Sequence, residues 1–257
     1  FHSISRTMYC IDVDAPSLLG TSDIIAQVRL RCKQQPLRIG WWQKGGMQMP
    51  YLFLSPSTQE FNPYVTTQNE EYWMNLLADR MEPYLLASGI GFTRNDPDQN
   101  AAAAIRQSNA GTYDFHLALH SNAAPPEKSG QIRGVDFYYY PSSAQGLRMA
   151  EILTEEIRKI YPLPELVQPR PTTLIGEVRR TKAPSVLAEL GYHDNPEDAQ
   201  WIEDNLDRIA QALVRGVCEY FGVPFIEPSP VQKGIVTVSW GSLNIRDLPD
   251  LNAAVLA

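Results

Sequence analysis

The amino-acid sequence predicts an α/β fold, a layered αβα domain with a mainly parallel mixed sheet. Short apolar segments, typical of buried strands, alternate along the chain with longer segments of helical periodicity. Hydrophobic residues make up 44% of the chain and charged residues 20%, the balance of an ordinary globular protein. The length of 257 residues suffices for one mid-sized domain with an appendage. Alternating strands and helices favour parallel strands with helices packed against the sheet.

The first half of the domain contains three predicted strands and two predicted helices. Residues 51–54 are an apolar run closed by Ser-Pro-Ser, which predicts a buried strand that ends in a loop. A helix should begin after Asn69, a capping residue type, and two glutamates occupy its first turn, where carboxylates suit the helix dipole. Its apolar stripe is Met74, Leu77, Met81 and Leu85. The helix should end at residue 87, and a strand at 90–94, a helix at 101–109 and a strand at 115–120 follow.

The second half repeats the alternation. Residues 135–140 predict a strand, and residues 144–160 predict a helix whose inward residues are Leu147, Ile152 and Ile157. The proline-rich residues 162–171 predict an ordered loop. A strand at residues 185–189 and a long helix at residues 196–221 then close the domain.

The two ends of the chain differ from this domain, which we place at residues 47–225. Residues 1–46 carry a net charge of +3, show weak periodicity and lack the pattern of a signal peptide. Two interpretations stay open: an unusual N-terminal extension, or translated upstream sequence ahead of a start at Met47 or Met49. Residues 226–233 predict a proline-rich linker. Residues 234–240 alternate like a strand, and residues 234–257 predict the start of a small all-β module.

Composition excludes several functional classes. A net charge of −7 and a pI near 5.2 argue against a nucleic-acid partner, since such proteins usually carry a basic face. No apolar run approaches the roughly 18 residues of an integral membrane segment. The wide spacing of Cys10, Cys32 and Cys218 predicts neither a disulfide framework nor a CxxC metal site.

Polar residues at predicted strand ends indicate where chemistry could occur, because ligands of such sheets bind beyond the carboxyl ends of the strands. His120 and Glu189 each end a strand, and Glu71 lies on the first helix. Together they could form an open zinc site in which a free carboxylate acts as general base. Each also has a structural interpretation: Glu71 as a helix-start carboxylate, His120 as a buried histidine and Glu189 as a salt-bridge partner.

Four stretches of the chain resemble the zinc-dependent N-acetylmuramoyl-L-alanine amidases of the type 3 family, which cleave peptidoglycan. Residues 114–123 are similar to the family's D-x-F-x-S-I-H-A-N-A, and residues 183–198 are similar to P-x-V-L-x-E-x-G-F-x-x-N-x-x-D. The run Glu71-x-x-x-Asn75-Leu76 resembles the helix that carries a zinc-binding glutamate, and Phe92-Thr93-Arg94 resembles a strand end. The resemblance spans roughly residues 50–223.

The resemblance implies a site and a reaction. Glu71 and His120 would bind Zn²⁺, and Glu189 would be the catalytic residue. A metal-activated water would hydrolyse the amide bond between N-acetylmuramic acid and L-alanine in peptidoglycan. The protein would then act on a bacterial cell wall, outside the cell or in its envelope, although no export signal is visible after Met47.

One departure from the family pattern bears on activity. The family's first strand ends D-P-G-H-G-G, with a zinc-binding histidine, and Thr58 stands at that position here. His193, Glu60 or Gln59 could replace the ligand, or nothing does. His116 lies four strand residues from His120, roughly 13 Å, too far to share one metal.

That departure keeps a second function open. In this alternative, the chain is a catalytically impaired amidase fold that binds peptidoglycan or regulates a cell-wall hydrolase. At the C-terminal end, Val236-Thr237-Val238 and residues 243–246 resemble the start of a bacterial SH3-like module, truncated here and of a type that tethers hydrolases to cell walls.

Overall fold

The structure is a computed structural model that describes residues 49–228 and, in addition, the backbone of residues 13–14 and 242–243. The chain divides into two units, residues 38–229 and residues 1–37 with 230–257. In the second unit, Val13–Asp14 and Ser242–Leu243 pair as two short antiparallel strands. The predictions made for residues 1–46 and 234–257 otherwise lie outside the described residues.

A six-stranded sheet forms the centre of the larger unit. Its strands are β1 (Tyr51–Pro56), β2 (Gly91–Arg94), β3 (Phe115–Asn122), β4 (Val135–Tyr139), β5 (Val167–Pro171) and β6 (Ser185–Tyr192). The spatial order is β2-β1-β3-β6-β4-β5. Every neighbouring pair is parallel except β4 and β6, which are antiparallel. The mainly parallel mixed sheet predicted from the sequence is confirmed.

Residues 49–228 contain five α-helices, of which the first four connect strands and the last follows β6: α1 (Glu70–Ala87), α2 (Ala101–Ala110), α3 (Ala144–Arg158), α4 (Gly176–Arg179) and α5 (Pro196–Phe221). The predicted start of α1 is confirmed, because the Asn69 side chain accepts a hydrogen bond from the backbone N–H of Tyr72. Asn195 caps α5 in the same way, and Gly222 ends it in the left-handed conformation.

Two local predictions are wrong. The proline-rich segment is not a loop throughout, because Val167–Pro171 forms strand β5. β5 lies at the edge of the sheet, where a proline's missing N–H removes no ladder hydrogen bond on the open side. In α3, Met149 and Leu153 are fully buried, whereas the predicted inward residues Leu147 and Ile152 are only partly buried.

The two faces of the sheet are covered differently. α1, α3 and α5 pack on one face around a continuous apolar core that includes the predicted stripe of α1, all of it fully buried. The opposite face carries a smaller cluster of Ala118, Val178 and Leu187, in which Val178 comes from the short helix α4. The αβα layering is therefore confirmed. Within residues 49–228, no helix combines the length and apolarity needed to cross a bilayer.

Candidate active site

Three polar residues form a row across the middle of the sheet. His120 on β3 pairs with Glu189 on β6, and Glu189 pairs with Asp136 on β4. Because directly paired residues of neighbouring strands point to the same face, the three side chains share the face that carries α4. The sequence placed His120 and Glu189 at strand ends; the strands continue to Asn122 and Tyr192, and the structure brings the two residues together as a direct pair.

His120 lies between two buried carboxylates. Its Nδ1 is 2.8 Å from Oε1 of Glu70, at the start of α1, and its Nε2 is 3.4 Å from Oε2 of Glu177, on α4. Burial disfavours the charged imidazolium, but the hydrogen bonds to Glu177 and Glu70 outweigh it and raise the pKa of His120 well above its ordinary value. Burial raises the pKa of both carboxyl groups, but the hydrogen bond to His120 lowers that of Glu70, and the hydrogen bonds to His116 and His120 lower that of Glu177, so both pKa values lie below their ordinary value.

The first helix contributes Glu70 to this cluster, not the neighbouring residue that the sequence pattern selected. Glu70 is 1% exposed, and Asn62 donates a 2.7 Å hydrogen bond to its Oε2. Glu71 lies about a hundred degrees further round the helix, where burial and the neighbouring charge of Glu60 raise its pKa. The structure therefore places Glu71 outside the His120 cluster.

Glu189 is the carboxyl group of the site that lacks partners. Its Oε2 is buried and has no hydrogen-bond partner among residues 49–228. Burial raises its pKa to about 8, and the negative charges of Glu70 and Asp136 add to the rise, while His120 opposes it. A carboxyl group with a pKa in this range can both accept and donate a proton near neutral pH.

Glu177 is a site residue that the sequence analysis missed. Its carboxylate is buried and contacts Ser55, His116 and His120. No periodicity or motif links position 177 to position 120, because the contact depends on how the segment after the edge strand β5 folds back over the sheet. The basic residues beside it are on the surface: Arg179 and Arg180 are exposed.

The candidates for the missing histidine ligand occupy different surroundings. Thr58 is half-buried, and the amide nitrogen of Gln59 lies 3.2 Å from Nδ1 of His120. Glu60 is exposed and lies beside Glu71. His193 is 4% exposed and stacks on a tyrosine ring, and its Nδ1–H donates to the backbone carbonyl of Ser121 at 3.0 Å. Of the three candidates, Gln59 has a side chain in contact with His120.

The donor atoms around Nδ1 of His120 fit a zinc ion in part. One imidazole nitrogen and one carboxylate oxygen lie 2.8 Å apart there, and two ligands of one tetrahedral zinc are roughly 3.3 Å apart. Nδ1 of His120 cannot donate a hydrogen bond to Glu70 and at the same time accept one from the amide nitrogen of Gln59. Rotating the Gln59 amide by half a turn would place its oxygen next to Nδ1 instead. In the described part of the chain, no three His, Cys, Asp or Glu side chains form a group that could hold a metal ion. A third protein donor, where one is present, is of another type, and Gln59 is the candidate whose side chain contacts His120.

Comparisons of the sequence with known proteins indicate one and the same family. The sequence profile of the N-acetylmuramoyl-L-alanine amidases (Amidase_3) matches residues 62–219. Over 110 residues the chain is 34% identical to a protein of Staphylococcus aureus named "Probable cell wall amidase LytH". That stretch is 42% of this chain and 35% of the staphylococcal protein, so the chain spans about a third of the length of this curated relative.

Solved structures share the fold at low sequence identity. The amidase AmiC2 of Nostoc punctiforme aligns with a TM-score of 0.58 and 18% identity over 69% of this chain and 99% of that one. An N-acetylmuramoyl-L-alanine amidase of Clostridium difficile 630 aligns with a TM-score of 0.60 and 17% identity over 68% and 98%. The catalytic domain of CwlV, from Bacillus (Paenibacillus) polymyxa var. colistinus, has a TM-score of 0.58 and 18% identity over 68% and 100%.

Proposed function

Since the chain belongs to the N-acetylmuramoyl-L-alanine amidase family, we propose that it hydrolyses the amide bond between N-acetylmuramic acid and L-alanine in peptidoglycan. The observation that carries the proposal is the buried Oε2 of Glu189, which has no hydrogen-bond partner among residues 49–228 and whose residue pairs across the strands with His120, itself in contact with Glu70. Amide hydrolysis needs a base for the attacking water and an acid for the leaving amine, and one carboxyl group of suitable pKa can serve as both.

Glu189 is the general base and then the general acid. Its ionised carboxylate accepts a proton from the water that attacks the lactyl carbonyl, and it passes that proton to the nitrogen of L-alanine as the C–N bond breaks. The elevated pKa of about 8 suits the second step, because the carboxyl group retains the proton until the amine can take it. No donor among residues 49–228 occupies its buried Oε2.

Glu70 and His120 are the residues that would hold zinc, with the amide oxygen of Gln59 as a third, weaker donor. Zinc in this position would polarise the carbonyl and lower the pKa of the attacking water. Glu70 thereby takes the role that the sequence pattern assigned to Glu71, because its carboxylate and not that of Glu71 contacts His120.

The substrate implies a place of action. The printed name of the staphylococcal relative describes a cell wall amidase, and the chemistry proposed here requires peptidoglycan, so we propose that this chain acts on the cell wall. The alternative, a protein that binds peptidoglycan or regulates a hydrolase without cleaving, is favoured by two observations. Thr58 stands where the family pattern has a zinc-binding histidine, and no group of three His, Cys, Asp or Glu side chains in the described residues could hold a metal.

Digestion of purified sacculi by the full chain separates the two functions. With added zinc, we expect new N-terminal L-alanine amines to appear, and a chelator should abolish their release. Glu189→Gln should bind sacculi without releasing amines. Wild-type protein that sediments with sacculi but releases no amine at any zinc concentration would contradict hydrolysis and support the binding function.

A further inference from the structure

A polar cluster lies beside Glu189, on the side away from His120. Asp136 on β4 pairs directly with Glu189 on β6, and Tyr138 on β4 pairs with Arg170 on the edge strand β5. Alternate residues of a strand share a face, as do directly paired residues of neighbouring strands, so all four side chains lie on the face that carries α4. Asp136, Tyr138 and Arg170 are therefore next to the carboxyl group proposed as the base.

Asp136 holds the guanidinium of Arg170 in place. Asp136 is 6% exposed, and its Oδ1 accepts a 2.5 Å hydrogen bond from Nε of Arg170. The hydroxyl of Tyr138 donates to the other carboxylate oxygen at 3.4 Å. The hydrogen bond to Asp136 raises the pKa of Arg170, so the guanidinium keeps its charge. A side chain anchored in this way loses less conformational freedom when it binds a ligand.

The rest of this guanidinium is available to a ligand. A guanidinium carries five N–H groups, and Asp136 accepts from the one on Nε. Among residues 49–228, the two terminal amino groups of Arg170 have no acceptor, and 53% of the side chain is exposed to solvent. The N–H groups of a planar guanidinium match the two oxygens of a carboxylate, and such a pair is stronger than a neutral hydrogen bond. Arg170 thus presents an oriented binding group for a carboxylate beside Glu189.

We propose that Arg170 is a specificity-determining residue that binds a free carboxylate of the peptide stem, on the residue that follows L-alanine. This inference rests on the proposed amidase function. Neighbouring strands are about 4.8 Å apart, so a guanidinium held at Asp136 lies between one and two strand spacings from Glu189. Consecutive peptide residues are about 3.8 Å apart. With the nitrogen of L-alanine at Glu189, the next stem residue therefore reaches Arg170 when the peptide extends away from His120.

The test compares two soluble stem fragments that differ in one chemical group. MurNAc-L-Ala-γ-D-Glu-L-Lys carries a free α-carboxylate on its second stem residue, and the D-isoglutamine form carries an amide there. The full chain is titrated with each fragment by NMR in the presence of a chelator, so that binding is measured without metal-dependent cleavage. We expect the wild type to bind the acid about tenfold more tightly than the amide, as for a hydrogen bond between charged groups at a half-exposed side chain.

Two arginine variants separate a local effect from a change in net charge. Arg170→Gln should bind the acid and the amide with equal affinity, because the charged fork is lost. Arg180→Gln is the matched control, since it removes an exposed arginine whose backbone carbonyl contacts Asn109 at the end of α2. This variant should keep the tenfold preference of the wild type for the acid.

Equal affinity of the wild type for the two fragments, or an unchanged preference in Arg170→Gln, overturns the inference. If Arg170→Gln does not fold, the side-chain N–H signals of Arg170 in the wild type decide. These signals should shift with the acid and not with the amide, and equal shifts with both overturn the inference. A protein that prefers the acid through Arg170 yet cleaves no peptidoglycan contradicts the amidase proposal alone. An active amidase that binds both fragments alike contradicts the role of Arg170 alone.

Discussion

Oε1 of Glu70 lies 2.8 Å from Nδ1 of His120, and this contact joins the first turn of α1 to the carboxyl end of β3 across 50 residues of sequence. The contact defines which of two adjacent glutamates belongs to the site. It also places a carboxylate oxygen and an imidazole nitrogen where two ligands of one metal could be.

Replacing Glu70 and Glu71 with glutamine, one at a time, tests which of the two glutamates is a metal ligand. Glu70→Gln should reduce zinc affinity by more than the roughly 10–100-fold cost of losing an outer partner of a metal ligand, because it removes a ligand itself. Glu71→Gln, the matched control, should bind zinc within about twofold of wild type. Chelator competition measures both. Loss of zinc binding in Glu71→Gln alone would restore the assignment made from the sequence pattern.

Glu189→Gln separates metal binding from proton transfer. The amide has nearly the shape of the carboxyl group but cannot accept the proton of the attacking water, so turnover should fall by about 10²–10⁴-fold. Zinc affinity should stay at the wild-type level, because Glu189 is not among the groups that contact His120 within hydrogen-bonding distance. Equal turnover in the variant and the wild type would exclude Glu189 as the base.

The raised pKa of Glu189 predicts how stability depends on pH in the metal-free protein. Between its ordinary pKa near 4.5 and the folded value of about 8, the folded state keeps a proton that the unfolded chain has lost. The contribution of Glu189 to the free energy of unfolding should therefore be highest below pH 4.5. It should fall by up to about 1.4 kcal/mol per pH unit as the pH approaches 8. Urea titrations across this range should show that Glu189→Gln lacks this decline; parallel curves for the two proteins would contradict a buried, protonated carboxyl group.

Replacement of the absent histidine ligand is testable residue by residue. Gln59→Ala should weaken zinc binding by about tenfold or more, because its amide is in contact with His120. Glu60→Gln should have little effect, since Glu60 is exposed. His193→Ala should lower stability through the lost stacking on Tyr64 while leaving zinc affinity unchanged. A loss of zinc in His193→Ala with Gln59→Ala unaffected would reverse this ranking.

Sequence patterns predicted most of the fold because they record burial and capping directly. The stripe of α1, the cap at Asn69 and the long helix at residues 196–221 are local signals, and the structure confirms them. The strand β5 was not predicted because a proline-rich segment indicates a loop unless it is known to lie at the edge of a sheet. That position depends on the tertiary structure and not on the local sequence.

The site was predictable only as far as strand ends could be recognised. His120 and Glu189 lie opposite each other on neighbouring parallel strands, two and three residues before the strands end at Asn122 and Tyr192, so their proximity follows from topology. The choice between Glu70 and Glu71 depends on how α1 is rotated, because adjacent helical residues point about 100° apart. The contact of Glu177 depends on the path of the chain after β5, which no local spacing encodes.

Cleavage of a peptidoglycan fragment in H₂¹⁸O identifies the bond that is broken. Attack of water on the lactyl carbonyl should place one ¹⁸O in the carboxylate of the muramic acid product and none in the released peptide, which should begin with L-alanine. Mass spectrometry of the two products, with Glu189→Gln as the negative control, measures where the ¹⁸O has been incorporated. Label at the sugar's anomeric carbon or within the peptide, or unlabelled intact substrate after incubation with zinc-loaded wild type, would contradict the amidase assignment.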